Sequence, residues 1–451
     1  MKNAIVLAAG QGTRMQSQRS KAMHELLGKP MIEHVVSNLE KSGVNNIVVV
    51  VPNADDAIVT LLGDRVSYAI QDEPLGTINA VSKVTQLSNL QGDTLILHGD
   101  CGLIQVETIQ SLFEKHESSD LSIITAKPVD AGKSRRVIRD NQGEIEKIVE
   151  FDSLDEMNIG SREITVGVYC VNNELLYKYL PALAQEASTG ANIMGLVEVM
   201  KKKGHLVQGI YLTEYRDLLG INDRAQLIEA NKWLQDHINN KWLASGVTII
   251  DPKTTYIGPD VVLLGDNIVY PNNHLYGKVS IGKNTVLYPN NWIENSEIGD
   301  DSTIDSSRIT DSYVGSATTV GPFAHLRMHT HIQGNARIGN FVEFKNVEFG
   351  DNSKAAHLTY LGDATFGNDV NVGCGVITAN YDGKKKHRTQ VGNGTFIGSH
   401  TTLVAPVNIG ENVLTAAGSV INQDIEDGAM GIARSRQVNK VNFGSKFKNK
   451  G

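Results

Sequence analysis

The sequence predicts a two-domain protein that joins an α/β domain to an all-β parallel solenoid. The N-terminal half alternates short apolar runs with helical stretches, and its first run leads into a glycine-rich segment at 10–14. In the C-terminal half, aliphatic residues recur at every sixth position, as at Ile397, Leu403 and Ile409, often beside glycine. This period is typical of a hexapeptide β-helix. A chain of 451 residues is also longer than one compact core usually supports.

Composition argues against several classes of protein. No run of about 18 apolar residues is present, so no transmembrane helix is expected. The apolar stretch within 1–10 is too short for a signal peptide, so we expect a cytoplasmic protein without a membrane partner. The net charge of −8 argues against nucleic-acid binding. Cys101, Cys170 and Cys374 lack CxxC spacing, which argues against a disulfide framework or a zinc site.

The first apolar run, at 4–9, is expected to form a strand that ends in a phosphate-binding turn. Segment 10–14 (GQGTR) and Lys21 follow it. Glycine lets backbone N–H groups approach phosphate oxygens, and a helix that begins after the turn would add its dipole. The segment matches neither the Walker nor the GxGxxG pattern, so an ordinary tight turn is the alternative.

Strands and helices continue to alternate through the first domain. Further strands are expected at 47–51, 94–100 and 121–126, and helices at 30–41 and 78–87. This order implies a largely parallel sheet, which binds ligands beyond the carboxyl ends of its strands. Asp100 therefore lies at the same edge as the glycine-rich segment and is a candidate Mg²⁺ ligand. A helix cap or a turn acid is the alternative for Asp100 alone.

A long helix at 224–243, capped by Asn222 or Asp223, is expected to link the domains. Beyond it, Asn and Asp crowd the positions between the aliphatic–glycine pairs, as solenoid corners with unusual backbone angles require. The solenoid is expected to end near 427, before a basic, mobile tail. The predicted segments are 1–222, 223–245 and 246–451.

A histidine interrupts the six-residue period within 353–363. A neutral imidazole at His357 is a natural base for deprotonating an amine near neutral pH. Three cations, Arg327, Lys345 and Lys386, could hold a sugar phosphate. A structural corner histidine is the alternative for His357.

Three further features allow two readings each. The basic run at 384–388 is either a protruding loop that binds an anion, with help from Arg434, or a solvated charge run. The histidines within 325–331 lack an acidic or cysteine neighbour at metal-like spacing, which favours outward coil residues over a metal site. Cys374 is interpreted as a small corner residue rather than a reactive thiol.

At this point the motifs resemble a known family. Segment 7–15 (LAAGQGTRM) is similar to the signature of sugar-nucleotide pyrophosphorylases. The long motifs that resemble the acetyltransferase half of the bifunctional N-acetylglucosamine-1-phosphate uridyltransferase/glucosamine-1-phosphate N-acetyltransferase family lie at 321–327, 339–345, 357–363, 380–383 and 403–406. The resemblance covers essentially the whole chain.

The resemblance implies a Rossmann-like nucleotidyltransferase domain and a left-handed parallel β-helix that forms a homotrimer. It implies acetyl transfer from acetyl-CoA to glucosamine-1-phosphate, with His357 as the base. It also implies UMP transfer from UTP to N-acetylglucosamine-1-phosphate, with Mg²⁺ as cofactor and release of pyrophosphate. The product, UDP-N-acetylglucosamine, is a precursor for cell-wall synthesis.

The same resemblance assigns the site residues. The acceptor-sugar phosphate of the acetyltransferase would be held by Arg327, Lys345, Tyr360, Asn371 and Lys386. Acetyl-CoA would be contacted, partly from a neighbouring chain, by Cys374, Asn380, Tyr381, Ser399, Ala417 and Arg434. The nucleotide and sugar of the uridyltransferase would be contacted by Leu7, Ala8, Ala9, Gly10, Arg14, Lys21, Gln71, Gly76, Thr77, Gly99, Asp100, Glu150 and Asn222. The Mg²⁺ ligands would be Asp100 and Asn222.

The N-terminal half departs from the family pattern around the sugar. Segment 78–79 (IN) stands where the family has glycine and histidine, Arg135 replaces a glycine, and Thr165 and segment 190–193 (GANI) replace sugar-contacting motifs. The alternative function is therefore an acetyltransferase whose nucleotidyl domain is a binding or structural module. A non-catalytic scaffold is a third reading.

Overall fold

The computed structural model describes residues 1–10, 12–154, 160–186 and 193–447. By its internal contacts the chain divides into two compact units, Met1–Leu234 and Gln235–Gly451. Within the described ranges, no helix is long and apolar enough to cross a membrane. The long helix Arg224–Ala244 contains the point of division, and the boundaries expected at 222 and 245 remain predictions.

The first unit is an α/β fold built on one mainly parallel sheet. Its strands are β1 Lys2–Leu7, β2 Glu25–Leu26, β3 Lys29–Pro30, β4 Asn46–Val51, β5 Ser67–Ile70, β6 Asp93–His98, β7 Leu121–Ala126, β8 Arg136–Arg139, β9 Ile145–Val149, β10 Ile164–Asn172 and β11 Val207–Tyr211. Its helices are α1 Met31–Lys41, α2 Ala57–Leu62, α3 Thr77–Ser82, α4 Val106–His116, α5 Asn173–Glu186 and α6 Met194–Lys202, and the long helix α7, Arg224–Ala244, begins here. The main strand order is β11-β7-β10-β6-β1-β4-β5. Strands β6, β1, β4 and β5 pair in parallel, whereas β10 is antiparallel to β6, β7 and β8. Strands β2 and β3 form a separate two-stranded sheet.

Both faces of this sheet are buried, as the continuous apolar runs predict. Strand β1 sends Ala4 and Val6 into one core cluster, which includes Val35 of α1. It sends Ile5 into the opposite cluster, which includes Ile78 of α3. The central strand is thus covered on two sides, and its carboxyl end remains the open edge where a ligand can bind.

The prediction of a helix after the glycine-rich turn is wrong. A single 3₁₀ turn, Thr13–Met15, follows Gly12, and Gln16 takes a left-handed φ of 48°. The polar segment 16–20 has no apolar residue to bury against the sheet, so nothing stabilises a longer helix there. Backbone N–H groups and cationic side chains, rather than an α-helix dipole, are therefore available for a phosphate. Helix α3 is also shorter than expected and ends at Ser82.

The second unit consists of short strands that coil into a β-helix. Its strands are β12 Thr248–Ile249, β13 Tyr256–Ile257, β14 Val262–Leu263, β15 Ile268–Val269, β16 His274–Tyr276, β17 Ser280–Ile281, β18 Val286–Leu287, β19 Trp292–Glu294, β20 Glu297–Ile298, β21 Thr303–Ile304, β22 Arg308–Thr310, β23 Tyr313–Val314, β24 Thr319–Val320, β25 His325–Arg327, β26 His331–Ile332, β27 Arg337–Phe349, β28 Lys354–Phe366, β29 Asn371–Val372, β30 Ile377–Ala379, β31 Thr389–Val391, β32 Phe396–Ile397, β33 Thr402–Val404, β34 Val407–Ile409, β35 Leu414–Thr415, β36 Val420–Ile421 and β37 Met430–Gly431.

Most coils have three short strands that pair in parallel with the strands of the next coil, whereas the single long strand β27 pairs with β24, β25 and β26. Ile257, Leu275 and Ile293 are aligned in this way and form part of a fully buried column. Corner residues such as Asn272 and Asn290 take positive φ angles of 62° and 67°, as expected from the Asn and Asp content. The predicted left-handed parallel β-helix with hexapeptide repeats is confirmed.

Of the two expected interruptions of the period, one is wrong and one is confirmed. Ala355 and Leu361 pair in register with Ile338 and Phe344, so the coil that contains His357 is regular. The histidine occupies an outward position, and the inward repeat continues without it. The basic segment, by contrast, lies in an extra loop between β30 and β31.

Candidate active sites

A pocket of about 330 Å³ opens in the first unit at the carboxyl ends of β1 and β6. The residues assigned above that line it are Leu7, Ala8, Ala9, Gly10, Arg14, Lys21, Gln71, Gly76, Thr77, Asp100 and Asn222. Gly99 and Glu150 are outside this lining. Gly99 is a packing residue, because a Cβ there would lie 3.0 Å from Ile32 and 3.2 Å from Ala8.

Two side-chain oxygen atoms, one from Asp100 and one from Asn222, contact the ammonium group of Lys21 inside this pocket. The Lys21 ammonium group pairs with the Asp100 carboxylate and donates a hydrogen bond to Asn222 Oδ1 at 2.7 Å. Arg14 also donates to Asn222 Oδ1, at 2.8 Å. The Asn222 amide nitrogen donates to the Gly220 carbonyl, which turns its oxygen towards the cations. A carboxylate and an amide oxygen beside the glycine-rich turn fit Mg²⁺, which otherwise keeps water and substrate phosphates as ligands.

The opposite side of the pocket is formed by Gln71 and the turn before α3. Gln71 is buried, and its amide donates to the Gly76 carbonyl at 3.1 Å and to Asn79 Oδ1 at 2.9 Å. Gly76 has a φ of 103°, which glycine adopts readily. The neighbouring departure from the family pattern at Ile78 is fully buried in the core. It therefore fills space below the pocket and does not line it.

Gly12 and His98 line the pocket as well, although neither is among the assigned site residues. A Cβ on Gly12 would lie 2.6 Å from Lys21 Cβ, so this glycine allows the lysine to cross the turn. Burial lowers the pKa of His98, the charge of Asp100 raises it, and the charges of Lys21 and Arg135 lower it further. Within the predicted strand 94–100, His98 lies two residues before Asp100, and this spacing indicates a shared face because alternate strand residues point the same way.

Arg135 forms an ion pair with the acid assigned to the sugar. Its Nε donates to Glu150 Oε1 at 2.6 Å, and both side chains are partly exposed. The pair forms because β8 and β9 are antiparallel and bring Arg136 opposite Val149, beside these two residues. Thr165 is buried on β10. Of the segment 190–193, residues 190–192 lie outside the described residues, and Ile193 donates its N–H to Thr77 Oγ1 at 3.2 Å.

In the second unit, the expected phosphate-binding cations come together on neighbouring coils. Arg327 and Lys345 are aligned on β25 and β27. Lys386, from the extra loop, lies beside Lys345, and its ammonium group lowers the pKa of Lys345, with burial as the next cause. Arg327 also pairs with Glu343, its Nε at 3.1 Å from Oε1. Two adjacent ammonium groups form a natural binding place for a dianion such as a phosphate monoester.

Polar groups complete this cluster around Gly362, which pairs in register with Lys345. A Cβ on Gly362 would lie 2.5 Å from the Tyr360 hydroxyl and 2.8 Å from Asn380 Nδ2, so both groups lie over the glycine. Asn380 also donates to Asp363 Oδ2 at 2.5 Å. Asn380, assigned to acetyl-CoA, is thus placed beside the acceptor group of Arg327, Lys345, Tyr360 and Lys386.

His357 belongs to a different line of residues. His357, Cys374, Ser399 and Ala417 each lie two residues after an inward residue of one column, on four successive coils. Parallel strands are about 4.8 Å apart, so these four side chains form one outward row. Arg434 lies near its end, 3.8 Å from the position of a Cβ on Gly418. We name His357, Cys374, Ser399 and Ala417 the histidine row.

A corner separates the histidine row from the acceptor group within one chain. Leu358, directly after His357, takes a left-handed φ of 37° within β28, and Tyr360 lies beyond this bend in the same strand. Asn371 precedes the inward residue Val372 and lies on the side of the histidine row, not with the cations of the acceptor group. The predicted residues therefore form two sets, on either side of the corner.

Asp382 organises the extra loop, and the sequence did not single it out. Its Oδ1 accepts hydrogen bonds from the N–H groups of Lys384 and Lys385, each at 2.7 Å. Its Oδ2 accepts one from His387 Nε2 at 2.7 Å. The N–H of Lys385, then His387, lower the pKa of Asp382 to about 2. The carboxylate thus holds the loop that presents Lys386.

The histidines within 325–331 are divided between faces of the coil. His325 pairs in register with Glu343 on one column of strands. His331 stacks on Tyr313 at 4.4 Å between ring centroids, on another column. Their placement follows the coil pattern, as the interpretation of outward coil residues expects.

Comparisons with known proteins agree with the two folds. A family model described as MobA-like NTP transferase domain matches residues 4–193, and one described as bacterial transferase hexapeptide (six repeats) matches residues 388–423. The Bifunctional protein GlmU of Brevibacillus brevis is 42% identical over 453 residues, covering 100% of this chain and 98% of the relative. The Bifunctional protein GlmU of an Exiguobacterium species is 41% identical over 444 residues, covering 98% of each chain.

Proposed function

The chain belongs to the GlmU family of bifunctional proteins, and we propose that it makes UDP-N-acetylglucosamine in the cytoplasm at two separate sites. The second unit transfers the acetyl group of acetyl-CoA to glucosamine-1-phosphate. The first unit transfers UMP from UTP to N-acetylglucosamine-1-phosphate and releases pyrophosphate. The adjacent ammonium groups of Lys345 and Lys386 are the observation that carries the proposal for the second unit, because they form a ready-made site for a sugar phosphate.

Acetyl transfer requires an anchored phosphate and a base for the amine. Lys345, Lys386 and Arg327 hold the phosphate of the acceptor, and the hydroxyl of Tyr360 supports its sugar. His357 takes the proton from the attacking amine. The amine nitrogen forms a bond to the thioester carbonyl carbon, the C–S bond breaks, and CoA leaves as the thiol once it is protonated. Acetyl-CoA lies along the histidine row, where small residues at Ala417 and Ser399 leave room.

A neighbouring chain completes this site in the proposal. The acceptor group and the histidine row lie on different sides of the Leu358 corner, so one chain alone does not bring both to a single substrate. The corner itself is apolar and exposed: Phe323, Phe341 and Leu358 are 58%, 59% and 59% exposed on successive coils. All three have positive φ, which disfavours large side chains. We call Phe323, Phe341 and Leu358 the apolar ridge. A homotrimer that buries the apolar ridge would account for its exposure and for the division of the site residues between two sides of the corner.

Uridylyl transfer uses the pocket of the first unit. A phosphate oxygen of N-acetylglucosamine-1-phosphate attacks the α-phosphorus of UTP in line, and pyrophosphate leaves. The described part of the turn at 12–14 contributes backbone N–H groups, and Arg14 and Lys21 contribute charge. Gln71 and the Gly76 turn hold the uracil. Asp100 and Asn222 would hold Mg²⁺, which offsets negative charge on the phosphates when bound.

A second function is supported by the Arg135–Glu150 ion pair. This pair occupies the carboxylate that the resemblance assigns to the sugar. If it persists when nucleotide binds, the first unit is a binding or structural module, and only acetyl transfer remains.

Separate product assays test the proposal. The purified chain is expected to release CoA from acetyl-CoA only when glucosamine-1-phosphate is present, and His357→Ala should lower this rate by about two to four orders of magnitude. No release, or release that His357→Ala does not change, would exclude the acetyltransferase. Pyrophosphate release from UTP, N-acetylglucosamine-1-phosphate and Mg²⁺ would exclude the module alternative.

A further inference from the structure

We propose that Lys21 is an internal competitor of the divalent cation, so that the pocket of the first unit takes up metal together with a nucleotide and only weakly without one. The inference rests on the proposed uridylyl transfer for the identity of the nucleotide. It concerns the order in which ligands bind, which the reaction itself does not define.

The segments that carry the two oxygens are tied together by hydrogen bonds within the chain. The Asn222 N–H donates to Gln226 Oε1 at 2.7 Å, and its side-chain amide donates to the Gly220 carbonyl at 2.8 Å. The Ile221 N–H donates to the Asp100 carbonyl at 3.2 Å, which ties the two donor segments together. The oxygens therefore present one preformed cation position, and the ammonium group of Lys21 lies in it.

The stem of Lys21 is held, while its end can move. The turn at Gly12 lies against the Lys21 Cβ, and the side chain is only 16% exposed. Rotation of the long side chain can still carry the ammonium group from Asp100 to an anion placed over the turn. A triphosphate at the turn offers such an anion, so it draws the ammonium away from both oxygens. Arg14, which also donates to Asn222 Oδ1 at 2.8 Å, is a second cation that the same phosphates attract.

Competition of this kind couples the two ligands. A divalent cation alone must displace an ammonium group from a partly buried carboxylate and move it to solvent. With a nucleotide present, the same ammonium group is exchanged from one anion to another. By linkage, the metal then favours nucleotide binding by the same factor by which the nucleotide favours the metal.

Binding of Mn²⁺ alone, followed by electron paramagnetic resonance on the full chain, tests the inference. Lys21→Met removes the competing charge and should tighten Mn²⁺ binding without nucleotide by about 5- to 150-fold, the range of typical coupling between sites. Lys83→Met is the matched control, because it removes a lysine from an exposed ion pair with Asp72 in the same unit. This control should bind Mn²⁺ as the unaltered chain does.

Two further variants make the result decisive. Lys21→Met combined with Asp100→Asn should lose the tight Mn²⁺ binding, which places the ion at this carboxylate. Lys21→Gln replaces Lys21→Met if circular dichroism shows that methionine disturbs the fold. Unchanged or weaker Mn²⁺ binding in a folded Lys21 variant would overturn the inference. Pyrophosphate release by the unaltered chain is measured separately, so failure of the inference and failure of uridylyl transfer are distinguishable.

Discussion

Replacing Lys386 by methionine tests whether the paired ammonium groups bind the phosphate of the acceptor sugar. Lys386 lies in the extra loop beside Lys345, and its charge lowers the pKa of Lys345. Methionine keeps much of the length of lysine and removes the charge. The substitution should therefore weaken binding of glucosamine-1-phosphate and leave the base His357 in place.

The expected size of the effect follows from one charge-assisted hydrogen bond. Such a bond contributes about 1.5–3 kcal/mol, which corresponds to roughly a 10- to 150-fold increase in KM. Loss of Lys386 also lets the pKa of Lys345 rise, so Lys345 stays protonated to higher pH and offsets part of the loss. In the unaltered chain, affinity for the acceptor should fall as pH rises through the lowered pKa of Lys345. In the variant this fall should move to higher pH.

The assay is CoA release at varied glucosamine-1-phosphate concentration, from neutral to alkaline pH. We expect a raised KM with kcat nearly unchanged in Lys386→Met. Lys278→Met is the control, since Lys278 is an exposed lysine on another coil of the same unit. An unchanged KM, or a lowered kcat at unchanged KM, would refute the assignment of Lys386 to the phosphate.

Three other substitutions test separate parts of the account. Gly12→Ala places a Cβ 2.6 Å from Lys21 Cβ at a φ of 58° and should lower pyrophosphate release at least about tenfold; an equal loss of CoA release would indicate general misfolding instead. Asp382→Asn weakens the carboxylate contacts of the loop and should raise KM for glucosamine-1-phosphate about 3- to 10-fold, with little change in kcat; a change in kcat alone would contradict a positioning role. Phe341→Ser removes an exposed ring from the apolar ridge and should shift the chain to smaller species in light scattering; an unchanged mass would remove the ridge from the proposed trimer interface.

The architecture could be predicted because its signals are local and repetitive. Each coil needs an aliphatic side chain at each inward position, so the period survives in the sequence whatever lies outside. The alternation of strands and helices is likewise a local, repeated signal, and it identifies the α/β fold of the first unit. His357 suggests an interruption of the six-residue period because it is a polar residue among aliphatic ones. It occupies an outward position, however, and Ala355 and Leu361 keep the repeat.

The finer structure of the sites depends on contacts between distant residues. Arg135 and Glu150 meet only because a hairpin pairs their neighbours. Asp382 becomes the centre of its loop only when the N–H groups of Lys384 and Lys385 fold back on it. No period or motif in the sequence carries such pairings, so the sequence alone could name the cations but not what holds them.

The helix missed after the glycine-rich turn has a different cause. A glycine-rich turn after a strand is usually followed by a helix, and the prediction for 10–14 rests on that general pattern. Here Gln16 takes a left-handed conformation, and the next residues have no apolar face. A helix does not form after this turn because the residues that follow it have no apolar face that could pack on the sheet.

The two transfer sites to which this chain contributes act independently, and reciprocal variants in a single two-product assay test this most directly. CoA release and pyrophosphate release are measured for the unaltered chain, His357→Ala and Asp100→Asn. We predict that the unaltered chain makes both products, that His357→Ala loses CoA release alone, and that Asp100→Asn loses pyrophosphate release alone. Loss of both products in either folded variant, or no pyrophosphate from the unaltered chain, would contradict the claim.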